Sequence, residues 1–291
     1  MNRQVVVGVD GSPSSLVAAE HAARAALLRS RPLLLVHGYL HPLGYGVPSN
    51  PYDLGVPAPT EEARKMLERT AADLAGRFPG LAVEARQIAG GPGATMVEES
   101  RRADLVVVGS RGLGGFTGLL LGSVGAQVAA HAHCPVLVVR PQGQPIGVDG
   151  APVLVGVDGS ESSQLAVGYG AVEATLRDVP LVLAHVGPAG AERPVPDELE
   201  EVHAAEYAET VRLLADASTV VRTEHPDLVV REHPVRAASP AQGLIEASGA
   251  ASLLVVGTRG RAGFAGLLLG SVSQAAIHHA HCPVLVAHPV S

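Results

Sequence analysis

Short apolar runs alternate with longer amphipathic or alanine-rich stretches along the first 140 residues. Gln4–Val9 reads as a Val-rich strand. Pro13–Ser30 follows as an Ala/Leu-rich helix, with Pro13 in its first turn and Ser12 placed to cap it. Leu33–His37 is the next apolar run, and the Pro/Gly/Tyr-rich stretch Gly38–Pro59 is a loop of more than usual length. Thr60–Phe78 predicts a helix opened by Thr-Glu-Glu, acidic groups set against the positive end of the helix dipole. Leu81–Ile88 alternates like a strand, Ala94–Arg102 fits a helix, and Leu105–Val108 is a fully apolar strand. A Gly-rich loop, a helix over Gly122–His133 and a strand Val136–Val139 complete the pattern. Strands separated by helices predict right-handed crossovers and an α/β, doubly wound sheet of five parallel strands with helices on both faces.

The whole pattern then occurs again. QVVVGVDGS ending at Ser12, GLLLGSV at 118–124 and HAHCPVLV at 131–138 each return, in full or nearly so, 148 positions later. A constant offset over such distant landmarks means a duplicated domain, since solenoid repeats are far shorter. The Pro/Gly-rich stretch Pro141–Gly150 has the composition of a linker, which gives domains over 1–141 and 152–291 joined by 142–151.

Composition narrows the chemistry. Hydrophobic residues make up 47% and aromatic ones 3% of the 291 residues, so Val, Leu and Ala must fill the core. A net charge of −7 argues against a nucleic-acid or anionic-membrane binder. Of the 21 basic residues only Lys65 is a lysine, which excludes a Walker-type phosphate lysine elsewhere. Two cysteines cannot staple a fold, so a reducing, cytoplasmic compartment is expected, with no signal peptide at the start and no apolar run long enough for a membrane span.

The Gly-rich loop carries the sharpest signal. Gly109–Val124 and Gly257–Val272 both fit Gly-x2-Gly-x9-Gly-Ser, and the first glycine of each ends an apolar strand. That places the loop at the carboxyl edge of the sheet, where doubly wound folds bind ligands. Gly122-Ser123 and Gly270-Ser271 open the next helix, whose unbonded N–H groups favour an anion. Ser123 adds a hydroxyl and Arg111 a charge independent of pH. These are the parts of a polyphosphate cradle. Glycines that merely permit a tight strand-to-helix turn are the plainer account, and a second loop with the same spacing weighs against it.

The V-G-V-D-G-S opening, the spaced-glycine loop and the closing H-x-H-C-P-V-L-V strand resemble the universal stress protein family, in its tandem-domain form, over essentially the whole chain. The resemblance implies a Rossmann-like sheet in order 3-2-1-4-5, with ATP held between the first and fourth strands. It also implies pairing through the fifth strand, a homodimer, and a regulatory role in stress response or growth control. The family's phosphate-binding positions fall on Gly109, Gly112, Gly122 and Ser123, then on Gly257, Gly260, Gly270 and Ser271, with Val124 and Val272 next in the helix. Ser110 and Arg111, or Thr258 and Arg259, would line the triphosphate. The family's Asp matches Asp10 and Asp158, near the adenosine and a Mg2+ ion, and Gly8 and Gly156 would let the nucleotide approach the strand end. With both loops intact, two ATP per chain are expected.

Other residues admit two readings. Asp10 and Asp158 suit an Asx-turn or helix cap as well as a nucleotide contact. His37 and His185, beside Val36 and Ala184, end the second strand where the family lines its adenine pocket; a hydrogen-bonded edge histidine is the alternative. His131, His133 and Cys134, with His279, His281 and Cys282, are spaced like soft-metal ligands, yet Cys before Pro at a strand start is usually a small buried hydrophobe. No metal site is expected there.

Function follows as an ATP-binding regulator acting on an unidentified protein partner. The alternative is a slow ATPase or phosphotransferase acting on itself or a partner. Catalytic phosphoryl transfer needs a base, metal ligands and charge clamps, and only Asp10, Arg111 and their repeats offer themselves. An adenylating enzyme would carry S-G-G-x-D-S after the first strand, and D-G-S-P-S-S at 10–15 lacks the paired glycines.

Overall fold

The computed structural model describes residues 3–39, 61–112, 122–140, 150–188, 197–260 and 268–289, with 197–203 described as backbone only. Most of the expected Gly38–Pro59 loop, nearly all of the linker and the middles of both Gly-rich loops lie outside the described residues. The chain divides into two compact units, residues up to 141 and from 142 to 288.

The first unit runs β1 (Gln4–Gly8), α1 (Pro13–Leu28), β2 (Leu33–Tyr39), α2 (Glu61–Arg77), β3 (Val83–Ala89), α3 (Pro92–Glu99), β4 (Ala103–Gly109), α4 (Ser123–His131) and β5 (Val136–Val139). Its strands lie in the order β3-β2-β1-β4-β5, every pair parallel. The second unit runs β6 (Val153–Gly156), α5 (Glu161–Arg177), β7 (Leu181–Pro188), α6 (Asp197–Glu224), β8 (Val230–Ala237), α7 (Pro240–Ala247), β9 (Leu253–Gly257), α8 (Ser271–His279) and β10 (Val284–Ala287). Its order is β8-β7-β6-β9-β10, again all parallel. Both units are therefore the expected 3-2-1-4-5 sheet.

Burial explains why the sequence settles there. Val5, Val6 and Val7 are fully buried between β2 and β4, as unbroken β-branched runs should be in a sheet covered on both faces. Helix α1 packs with α2, and α3 with α4, so the sheet has a helix pair on each side. Ala18, Ala19, Ala22, Ala23, Ala25 and Ala26 of α1 are buried, and their small side chains let the helix lie close on β1 and β4. The cap falls as expected: Ser12 accepts from Ser15 N–H at 3.2 Å with Pro13 at the first helical position, and Ser160 does the same for Ser163. The helix expected over Ala94–Arg102 starts two residues earlier, at Pro92, and gives way to a 3-10 turn over Ser100–Arg102.

In each unit the chain lays its second and third strands to one side of the first, then returns to place the fourth and fifth on the other side. The carboxyl ends of β1 and β4, and of β6 and β9, thus flank the point where the strand order reverses.

Candidate functional site

Three segments meet at the reversal point of the first unit: the β1 end, the β4 end and the start of α4. After β1 the chain makes an Asx-turn, Ser12 N–H donating to Asp10 Oδ1 at 2.9 Å while Gly11 takes φ +82°. After β4, Ser110 N–H donates to the Val139 carbonyl at 2.8 Å, and the Ser110 carbonyl accepts from Gly122 N–H at 2.7 Å. That second bond closes the Gly-rich loop at its base and fixes where α4 begins.

Glycine is required at two loop positions by crowding. A β-carbon on Gly109 would stand 2.9 Å from the backbone carbonyl of Ser14 in α1, and one on Gly112 would stand 2.6 Å from Asp10 Oδ2. Neither glycine has a left-handed φ, so close approach is the reason for it. Gly122 caps α4 with no side-chain acceptor for the N–H groups of its first turn. Those groups lack helical partners and present a partial positive charge.

The result is a cavity of about 460 Å³ walled by β1, β2, β4, α3, α4 and the loop. Ten of the sequence-predicted residues line it: Gly8, Asp10, Val36, His37, Gly109, Arg111, Gly112, Gly122, Ser123 and Val124. Ser110 does not; its side chain is buried and its backbone is spent on Val139 and Gly122. Arg111 is held by its N–H donating to Ser14 Oγ at 3.3 Å. His37 donates from Nδ1 to the Val9 carbonyl at 2.8 Å, because a carbonyl can only accept. In the neutral ring Nε2 is then an acceptor on the cavity wall.

Gly38, Pro92, Met96 and Gly125 also form the wall and were not singled out by sequence. The signal for Gly38 was available in strand periodicity, since it lies on the same face of β2 as Val36. Pro92 and Met96 are four apart on α3, one helical turn, but which helix covers the site is a tertiary fact.

The second unit repeats the framework. Ser160 N–H and Oγ donate to Asp158 Oδ1 at 2.9 and 2.6 Å, with Gly159 at φ +79°. His185 Nδ1 donates to the Val157 carbonyl at 2.6 Å, beside buried Ala184. Gly270 N–H donates to the Thr258 carbonyl at 2.7 Å, Arg259 N–H to Ser162 Oγ at 3.3 Å, and Ser271 and Val272 open α8. A β-carbon on Gly257 would meet the Ser162 carbonyl at 2.7 Å, one on Gly260 would meet Asp158 Oδ2 at 2.5 Å, and one on Gly156 would meet Leu244 Cδ1 at 2.8 Å.

Cys134 and Cys282 are buried, and burial pushes both thiols up to about 12. Among the described residues no group of three or more His, Cys, Asp and Glu stands close enough to hold a metal ion, and no helix is long and apolar enough to cross a membrane.

The fold and site define a doubly wound α/β protein with a helix-opening glycine loop at its reversal point, built twice in one chain. The family model described as "Universal stress protein family" matches residues 1–140 and again 151–288. A universal stress protein of Mycolicibacterium smegmatis is 36% identical over 293 residues, covering 98% of this chain and 97% of that one. One from Mycobacterium tuberculosis is 37% identical over 299 residues, covering 97% and 95%. Among solved structures, a universal stress protein from Archaeoglobus fulgidus shares the fold with a TM-score of 0.63 at 17% identity, covering 100% of both chains. This chain belongs to the universal stress protein family, in its tandem-domain form.

Proposed function

We propose that this protein is an ATP-binding regulator of the stress response or of growth, with one nucleotide site in each unit. The observation that carries the reading is the first-unit cavity, whose two ends differ in chemistry as the two ends of a nucleotide do. At one end stand the uncapped N-terminus of α4, Ser123 and Arg111, which suit a triphosphate. At the other, Val36 and Met96 offer an apolar wall for the base and His37 an acceptor. A volume of about 460 Å³ is in the range of small-molecule sites. Among the described residues Asp10 is the one carboxylate on the wall, and Mg2+ bound through the phosphates with a single protein carboxylate fits such a donor set.

Regulation is favoured over catalysis because, among the described residues, that wall holds one carboxylate, one guanidinium and a histidine whose Nδ1 is already engaged. We further propose that the chain acts as a homodimer in the cytoplasm and hands nucleotide occupancy on to a protein partner. Purified protein extracted and analysed by mass spectrometry should release ATP, and titration should give micromolar affinity. Protein with no micromolar ATP affinity would sink the reading. Turnover of labelled ATP below about one per minute, against roughly 1–1,000 per second for typical enzymes, separates regulator from ATPase.

A further inference from the structure

Each wall residue of the first cavity has a counterpart 148 positions later, and four of these pairs differ in bulk. Gly38, Met96 and Gly125 become Val186, Leu244 and Ser273, while Val36 becomes Ala184.

At Gly38 the strand lies directly against α3, since a β-carbon there would stand 2.7 Å from Pro92 Cα. In the second unit Val186 takes the place of Gly38 and its γ-carbons press on α7, standing 2.8 and 3.0 Å from where a β-carbon on Gly243 would be. Val186 therefore needs glycine opposite it, at the position where the first unit has Thr95. Bulk has moved from the helix to the strand that walls the site. Leu244 crowds the end of β6 as well: its Cδ1 is 2.8 Å from a β-carbon built on Gly156, against 3.4 Å for Met96 Sδ at Gly8. A branched leucine yields less there than an unbranched thioether. Ser273 adds a side chain in the first turn of α8, its Oγ donating to the Gly257 carbonyl at 2.6 Å, where Gly125 has none. Ala184 alone opens space, and it lies deeper on the same face of its strand.

We propose that the two nucleotide sites are unequal: the first, walled by Gly38, Met96 and Gly125, is the tight ATP site, and the second, narrowed by Val186, Leu244 and Ser273, fills only at higher concentration. This rests on the nucleotide reading above. The duplicated chain then has two set points for one ligand and reports ATP over a wider range than two identical sites would.

Calorimetric titration of the full chain with ATP tests it. Two classes of one site each are expected, with Kd values at least about tenfold apart. Gly260→Val should remove the weak class and Gly112→Val the tight one. Val186→Gly with Gly243→Thr and Ser273→Gly should tighten the weak class by about tenfold. Gly38→Val is paired with Thr95→Gly, the combination present as Val186 and Gly243 in the second unit, and should weaken the tight class to the level of the second. If that pair fails to fold, the second-unit triple variant still decides. Two equal sites, or loss of the tight class in Gly260→Val, overturns the inequality and leaves the nucleotide reading standing. Absence of any ATP binding overturns both.

Discussion

Asp10 and Gly112 meet across the carboxyl edge of the first sheet, Asp10 Oδ2 lying 2.6 Å from where a β-carbon on Gly112 would be. The carboxylate is not at liberty to swing aside, because its Oδ1 holds the Ser12 N–H at 2.9 Å. Gly112→Ala should therefore break that turn bond and destabilise the first unit by about 1 kcal/mol. Asp10→Ala removes the obstacle, so the double variant should be less destabilised than the two single effects added together. Chemical denaturation of the four proteins measures this, and strict additivity would mean that the two residues do not confront each other.

The same pair shows what the sequence made legible. The repeat, the alternation of strands and helices and the helix-opening Gly122-Ser123 follow from local patterns, whereas the strand order came only from the family resemblance. Asp10 offered two readings, and the structure realises the turn on Oδ1 while turning Oδ2 to the loop. The need for glycine at 109 and 112 was legible, but not its cause. The atoms that crowd these positions belong to Ser14 and Asp10, about a hundred residues earlier, and only the folded chain brings them near. Ser110 falls outside the cavity lining for a related reason: spacing in a loop does not say which backbone groups the sheet edge will claim. Likewise the inequality of Gly38 and Val186 is visible in the sequence as a difference and gains meaning only against Pro92 and Gly243.

Gly109 makes a harsher test of crowding, because its neighbour is backbone. A β-carbon there would lie 2.9 Å from both C and O of Ser14, which sit in the first turn of α1. Gly109→Ala must push α1 off the strand end and should cost about 1–3 kcal/mol. Gly122→Ala, whose β-carbon would have no atom nearer than 3.7 Å, should cost far less. Equal thermal shifts for the two variants would contradict this account of the loop.

The buried thiols predict inertness. Cys134 and Cys282 are fully or nearly fully buried, and both are pushed up to about 12, so almost no thiolate exists at neutral pH. A disulfide reagent should label neither in the native protein and both after denaturation. Rapid labelling of either in the native state would point to a local opening at the start of β5 or β10.

His21 ties stability to pH. It is buried in α1, its Nδ1 has no partner among the described residues, and burial lowers its pKa from 6.5 to about 4. Between those values the unfolded chain binds a proton that the folded chain refuses, so stability rises with pH. The contribution is fully present above pH 6.5, falls as pH drops toward 4, and levels off below it. The loss amounts to at most about 3 kcal/mol. His21→Leu removes this proton while keeping an apolar helix-former in the same space. The denaturation midpoint of the parent should therefore fall more steeply from pH 7.5 to pH 5 than that of the variant. Parallel curves would mean that His21 takes up its proton without unfolding, and that the helix can open to hydrate it.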